Sequence, residues 1–154
     1  LQYERQRNED APARATEVQP IEAMAKAYLG VDAAGRLADH DLRSRLIRHT
    51  MDRQAFNLTM QRTIAEATSS GPSATTSILK NVSSVLSQER AELLVEIMGG
   101  QGLGWAGTAF ESRELDCVKE WLSGKATTIF AGSYEIQNNI IAKRILGLPT
   151  PTAE

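Results

Sequence analysis

The sequence holds a single cysteine, Cys117, only two histidines, and aromatic side chains at just 5% of its 154 residues. One cysteine excludes an intrachain disulfide. A reducing compartment is then the natural expectation, and the cytoplasm the expected location. The histidines, His40 and His49, have no cysteine or carboxylate spacing resembling a metal site, so no metal is expected and both read as helix-surface residues. No apolar run approaches the roughly 20 residues that a membrane span requires. Neither sign of charge prevails either: 17 basic and 19 acidic side chains give a net charge of -2. That balance offers no broad footprint for nucleic acid or for an anionic membrane. The chain opens at Leu1 rather than Met, within the charged run LQYERQRNEDA, which reads as a truncated or processed start.

What the sequence does have is helical periodicity. Asp10 and Pro12 resemble a helix start, and the pattern runs to about Leu29, with Pro20 marking a kink or restart and Gly30 a stop. Asp39 is placed to cap a second helix from His40 to about Ala67. Its apolar positions Leu42 and Leu46, then Phe56, Met60 and Ile64, recur at intervals of four. The SSGP stretch at 69–72 ends it, and Pro72 opens a third helix. That helix carries Ile78, Val82, Val85, Leu86, Leu93 and Ile97 and stops at Gly99 and Gly100. Thr108 and Glu111 have capping-box spacing for a fourth helix ending near Gly124. A short β-branched stretch, ATTIFAGS, leads into a last helix from Tyr134 to Leu146. Glu135 lies in its first turn and Lys143 and Arg144 in its last, as the helix dipole favours. No pattern of period two is visible. The expected fold is a single all-α domain over residues 1–154, an antiparallel up-and-down bundle.

Three segments could carry chemistry. In GGQGLGW, 99–105, glycines permit close approach of backbone to a ligand. The spacing fits no P-loop and no strand precedes it, so a helix stop with a turn is the simpler reading. In FAGSYEIQNN, 130–139, a small-residue turn enters a helix whose free N–H groups favour an anion. Plain capping by Ser133, with Glu135 complementing the dipole, explains it equally well. Glu4 beside Arg5 reads as a solvated pair. Cys117 has no base beside it and reads as half-buried packing. Trp105 and Trp121 read as packing anchors.

The order of these pieces is familiar. AELLVEIMGGQGLGW resembles the segment of acyl-CoA dehydrogenases in which a long helix ends in a double glycine. TIFAGSYEIQNNIIAKRILGLP resembles their C-terminal signature: a small-residue turn, then E-I-Q, then a basic helix ending in L-G. The resemblance is specific over residues 72–149 and weaker before them, and the family's N-terminal helical and middle β-domains are absent. It implies an FAD-dependent enzyme that oxidises an acyl-CoA thioester between its α and β carbons. In the family a carboxylate removes the α proton while FAD N5 takes the β hydride. An electron-transfer flavoprotein or similar acceptor then reoxidises the flavin.

Carried over residue by residue, the resemblance gives an uneven site. Many members place the catalytic glutamate directly before the glycine of the C-terminal signature. Here that position is Ala131, which cannot accept a proton. Another branch carries its base earlier, in a motif similar to L-x-x-E-R. This chain opens Leu1-Gln2-Tyr3-Glu4-Arg5, so the resemblance makes Glu4 the base. Ser133 and Glu135 correspond to flavin-holding positions, and Phe130 with Ala131 to the acyl pocket. Gly100 and Glu96 match positions that meet the adenosine part of FAD from a neighbouring subunit. Glu96 departs from the more usual glutamine, and a carboxylate near a pyrophosphate is unfavourable unless paired. A family arginine that grips FAD before the second helix has no counterpart in GRLADHD. The implied function is an acyl-CoA dehydrogenase domain, inactive alone, in a homo- or hetero-oligomer. The alternative is a non-catalytic subunit of a heteromeric enzyme.

Overall fold

The computed structural model describes residues 20–70 and 76–149. Among these the regular structure is entirely helical. Five α-helices follow in order: α1 Ile21–Leu29, α2 His40–Ser70, α3 Thr76–Met98, α4 Ser112–Gly124 and α5 Tyr134–Ile140. The 3-10 turns Gly99–Leu103 and Lys125–Thr128 extend α3 and α4, and a π-helical turn, Ile141–Ile145, extends α5. The expected helical bundle is what forms. Its axis is α3, on which α1, α2, α4 and α5 all pack. Arg45 pairs with Glu96, and His49 lies near Glu89, so α2 runs antiparallel to α3. No described helix is long and apolar enough to cross a membrane.

Local chemistry sets the helix ends. Pro20 immediately precedes α1, and its carbonyl accepts the Ala23 N–H at 2.9 Å, so the proline marks a start. The expected start at Pro12 and the opening of α3 by Pro72 lie outside the described residues. Asp39 caps α2 as its position predicts, with its carboxylate accepting the Leu42 N–H at 2.9 Å. The capping box of α4 falls one turn later than Thr108 and Glu111. Glu111 is the cap, and the Glu114 carboxylate accepts the Glu111 N–H at 2.8 Å. Glu114 wins because it is buried and tied to α1: the Tyr28 hydroxyl donates to it at 2.6 Å. The β-branched stretch is not extended; its threonines lie in the 3-10 turn after α4.

The core gathers Ile21, Met24 and Ala25 of α1, Leu42 and Leu46 of α2, Leu93, Leu94, Ile97 and Met98 of α3, and Val118 of α4. Burying side chains of this size contributes roughly 1.5–3 kcal/mol each. The predicted stripes on α2 and α3 are only half used. Leu42, Leu46, Leu86, Leu93 and Ile97 are buried, while Ile64, Ile78, Val82 and Val85 remain exposed. For Ile64 the reason is length: at 31 residues α2 spans about 46 Å, longer than the 23-residue α3, so its end reaches past α3. Trp105 is exposed rather than a packing anchor, whereas His49 is buried rather than on the surface.

Candidate functional site

At the C-terminal end of α3, Glu96 projects from a half-exposed position. The Arg45 guanidinium of α2 meets it in a two-pronged pair, Nη1 to Oε1 at 2.7 Å and Nη2 to Oε2 at 2.6 Å. Asp41, one turn earlier on α2, lies 3.4 Å from the same guanidinium. These contacts hold the Arg45 charge firmly on, the hydrogen bonds to Glu96 contributing most. Just beyond, the glycines serve different ends. A Cβ at Gly102 would come 2.5 Å from the Val95 carbonyl, and one at Gly104 would come 2.5 Å from the Phe110 ring. Gly102 and Gly104 are therefore packing glycines. Gly100 has neither a close neighbour nor a left-handed backbone, so nothing in the fold requires glycine there.

The second group lies in the turn before α5. Ile129 and Phe130 are exposed. Ala131 has φ 57° and Gly132 φ 97°, which makes Ala131 the lone described non-glycine residue in the left-handed region. Such a backbone costs alanine roughly 1–2 kcal/mol. Gln137, buried one turn into α5, holds the turn by donating to the Ala131 carbonyl at 2.8 Å. Ser133 precedes α5, but its hydroxyl donates to the Glu135 carboxylate at 2.6 Å rather than capping the backbone. That hydrogen bond holds the Glu135 carboxyl below the usual carboxylate range.

One face of α3 fixes this turn in place. Lys80 donates to the Thr128 carbonyl at 3.3 Å, Ser84 to the Thr127 carbonyl at 3.1 Å, and Gln88 to the Gly124 carbonyl at 3.1 Å. Positions 80, 84 and 88 share a helical face, so their donors meet carbonyls along the end of α4 and the 3-10 turn that follows it. Asn81 then donates to Asn138 of α5 at 3.1 Å. The Ser133–Glu135 group is thus anchored near Asn81, while Glu96 and Gly100 lie at the far end of α3. From Asn81 to Glu96 the axis runs about 22 Å. The structure brings Glu96 together with Gly100, and Phe130 with Ala131, Ser133 and Glu135, and it keeps the two groups apart. Glu4 lies outside the described residues.

Two contributors escaped the sequence reading. Gln137 was visible within E-I-Q, but its reach back across six residues was not. Arg45 meets a partner 51 positions away, a distance no local pattern encodes. Other polar groups serve the fold. Arg36, in the loop where the family's arginine would be sought, pairs with Asp32 at 3.1 Å. Burial pushes the Cys117 thiol up, consistent with packing rather than reactivity. His49 lines a cleft of about 150 Å³ with Arg45, Arg48, Asp52, Glu89 and Glu92, its Nδ1 3.7 Å from Glu89.

Comparison with known proteins gives this geometry its family. Residues 18–146 match the family model described as acyl-CoA dehydrogenase, C-terminal domain. The chain therefore belongs to the acyl-CoA dehydrogenase family. It is 35% identical over 123 residues to acyl-CoA dehydrogenase IpdE1 of Mycobacterium tuberculosis, covering 77% of this chain and 30% of that protein. It is 42% identical over 66 residues to acyl-CoA dehydrogenase IpdE1 of Mycolicibacterium smegmatis, covering 40% of this chain and 15% of that protein. The fold resembles the ChsE4-ChsE5 complex from Mycobacterium tuberculosis, with TM-score 0.63 and 24% identity, over 86% of this chain and 36% of that one. The chain thus spans 30%, 15% and 36% of these three chains.

Proposed function

We propose that this chain is the C-terminal helical domain of an FAD-dependent acyl-CoA dehydrogenase and contributes parts of a flavin site rather than a whole enzyme. When bound, FAD supplies the redox capacity for α,β-dehydrogenation of an acyl-CoA thioester, and the protein supplies placement. Ser133 and Glu135 would hold the cofactor at one end of α3. Glu96 and Gly100 would meet its adenosine part at the other end, in a neighbouring copy. The observation that carries the reading is this separation of about 22 Å along α3. Two groups that far apart suit two different sites, each completed by another chain. The residues fit an anionic dinucleotide in two respects. Gly100 offers open backbone without a packing duty, and the Glu96 carboxylate is already neutralised by Arg45.

In this reading Glu4 removes the α proton, and Phe130 and Ala131 line the acyl pocket. An electron-transfer flavoprotein or similar carrier takes the electrons. Residues 1–154 form one domain, the family's N-terminal helical and β-domains lie outside it, and the 154-residue chain alone is inactive. A cytoplasmic location belongs to the same proposal. Glu4→Gln in the full-length protein should abolish flavin reduction by acyl-CoA while FAD stays bound. Retained turnover would sink the assignment of the base.

Ala131 favours a second reading. With no carboxylate at the position many members use, the chain suits a non-catalytic subunit that completes a partner's flavin site. Co-purification with a second, active dehydrogenase chain, together with unchanged turnover in the Glu4→Gln complex, would select it.

A further inference from the structure

We infer that Arg45 is a positioning residue for the cofactor: by clamping Glu96 it lets a carboxylate stand where an anionic dinucleotide must come. The inference rests on the reading that Glu96 faces the adenosine part of FAD. Glutamine at that position brings no charge. A bare glutamate there would repel the phosphates. The structure supplies the compensation through two hydrogen bonds of 2.7 and 2.6 Å, one to each carboxylate oxygen. Arginine suits this task better than lysine, because its planar fork meets both oxygens at once and fixes the carboxylate plane. Each Glu96 oxygen keeps a further lone pair. The clamped carboxylate can therefore accept a hydrogen bond from a hydroxyl or amine, such as a ribose hydroxyl, without presenting a net negative charge. Asp41, the other carboxylate at the guanidinium, is 81% exposed and well screened by solvent.

The test is a charge cycle in the full-length protein, with FAD affinity read by flavin fluorescence at low and high salt and folding checked by thermal melting. Arg45→Ala should weaken FAD binding about tenfold at low salt, and the loss should shrink as salt screens the exposed carboxylate. Adding Glu96→Gln to Arg45→Ala should recover most of that loss, because no unpaired carboxylate then remains at position 96. A purely structural role would lower the melting temperature of both Arg45 variants and leave FAD affinity alone. That result, or a double variant as weak as Arg45→Ala, would overturn the inference while leaving the FAD reading standing. Failure of the wild-type protein to bind FAD would overturn that reading, and this inference with it.

Discussion

Gly100 and Gly102 stand two positions apart in the same loop and answer to different demands. Gly102 is needed by the fold, because any Cβ there would collide with the Val95 carbonyl. Gly102→Ala should cost on the order of 1–3 kcal/mol, seen as a lower melting temperature. Gly100→Ala should leave the melting temperature within about 1 °C, since it meets open space and costs no more than a surface substitution. In the full-length protein the same change should nevertheless weaken FAD binding. Ala131 makes the opposite case, a residue the fold would exchange for glycine. At φ 57° it pays for a left-handed backbone, so Ala131→Gly should stabilise by about 1 kcal/mol and raise the melting temperature by roughly 2–4 °C. None of this can be read from the string GGQGLGW. Periodicity marks a helix stop there, but telling a packing glycine from a free one requires knowing what stands opposite.

At the scale of elements, the ends of helices were more legible than their partners. Asp39 before a periodic run announces a cap because the signal is local, and the cap is there. Thr108 and Glu111 offered the same signal and lost to Glu111 and Glu114. The deciding contact is the Tyr28 hydroxyl reaching Glu114 from 86 positions away. This contact ties α1 to α4 and has a pH signature. Burial, then the hydrogen bond and charge of Glu114, push the Tyr28 hydroxyl up to about 12 from its usual 10.0. The folded state therefore holds the phenolic proton more tightly than the unfolded chain does. The associated stability is complete below about pH 10 and is lost as pH rises towards 12. Tyr28→Phe should flatten that alkaline loss, measured as melting temperature against pH, and an unchanged alkaline slope would refute the coupling. Periodicity also overcounted the core. It found the stripes of α2 and α3 but not where each runs out of neighbours.

At the scale of the molecule, the exposed apolar residues are the most consequential feature. Met51, Leu58 and Ile64 on α2, and Ile129, Phe130, Tyr134 and Ile136 around the last turn, all stand at least half exposed. Faces of this kind mark contact surfaces rather than ordinary solvent-facing helix. The chain should self-associate in solution, and a strict monomer by light scattering at micromolar concentration would count against this. The family was legible because two segments, the double glycine and E-I-Q, are diagnostic in themselves. The proposed half-site arrangement was legible only through the resemblance, and the placement of its two groups at opposite ends of α3 was not, because it depends on contacts such as Asn81 to Asn138 across 57 positions. Intersubunit complementation tests it most directly. One full-length variant carries Gly100→Leu and a second carries Ser133→Ala with Glu135→Ala, so each alone should bind FAD poorly. If one flavin site draws these groups from two chains, the mixed assembly regains one intact site and FAD binding recovers at a fraction of the sites. If all of them belong to a single chain's site, no mixture recovers binding, and the account is contradicted.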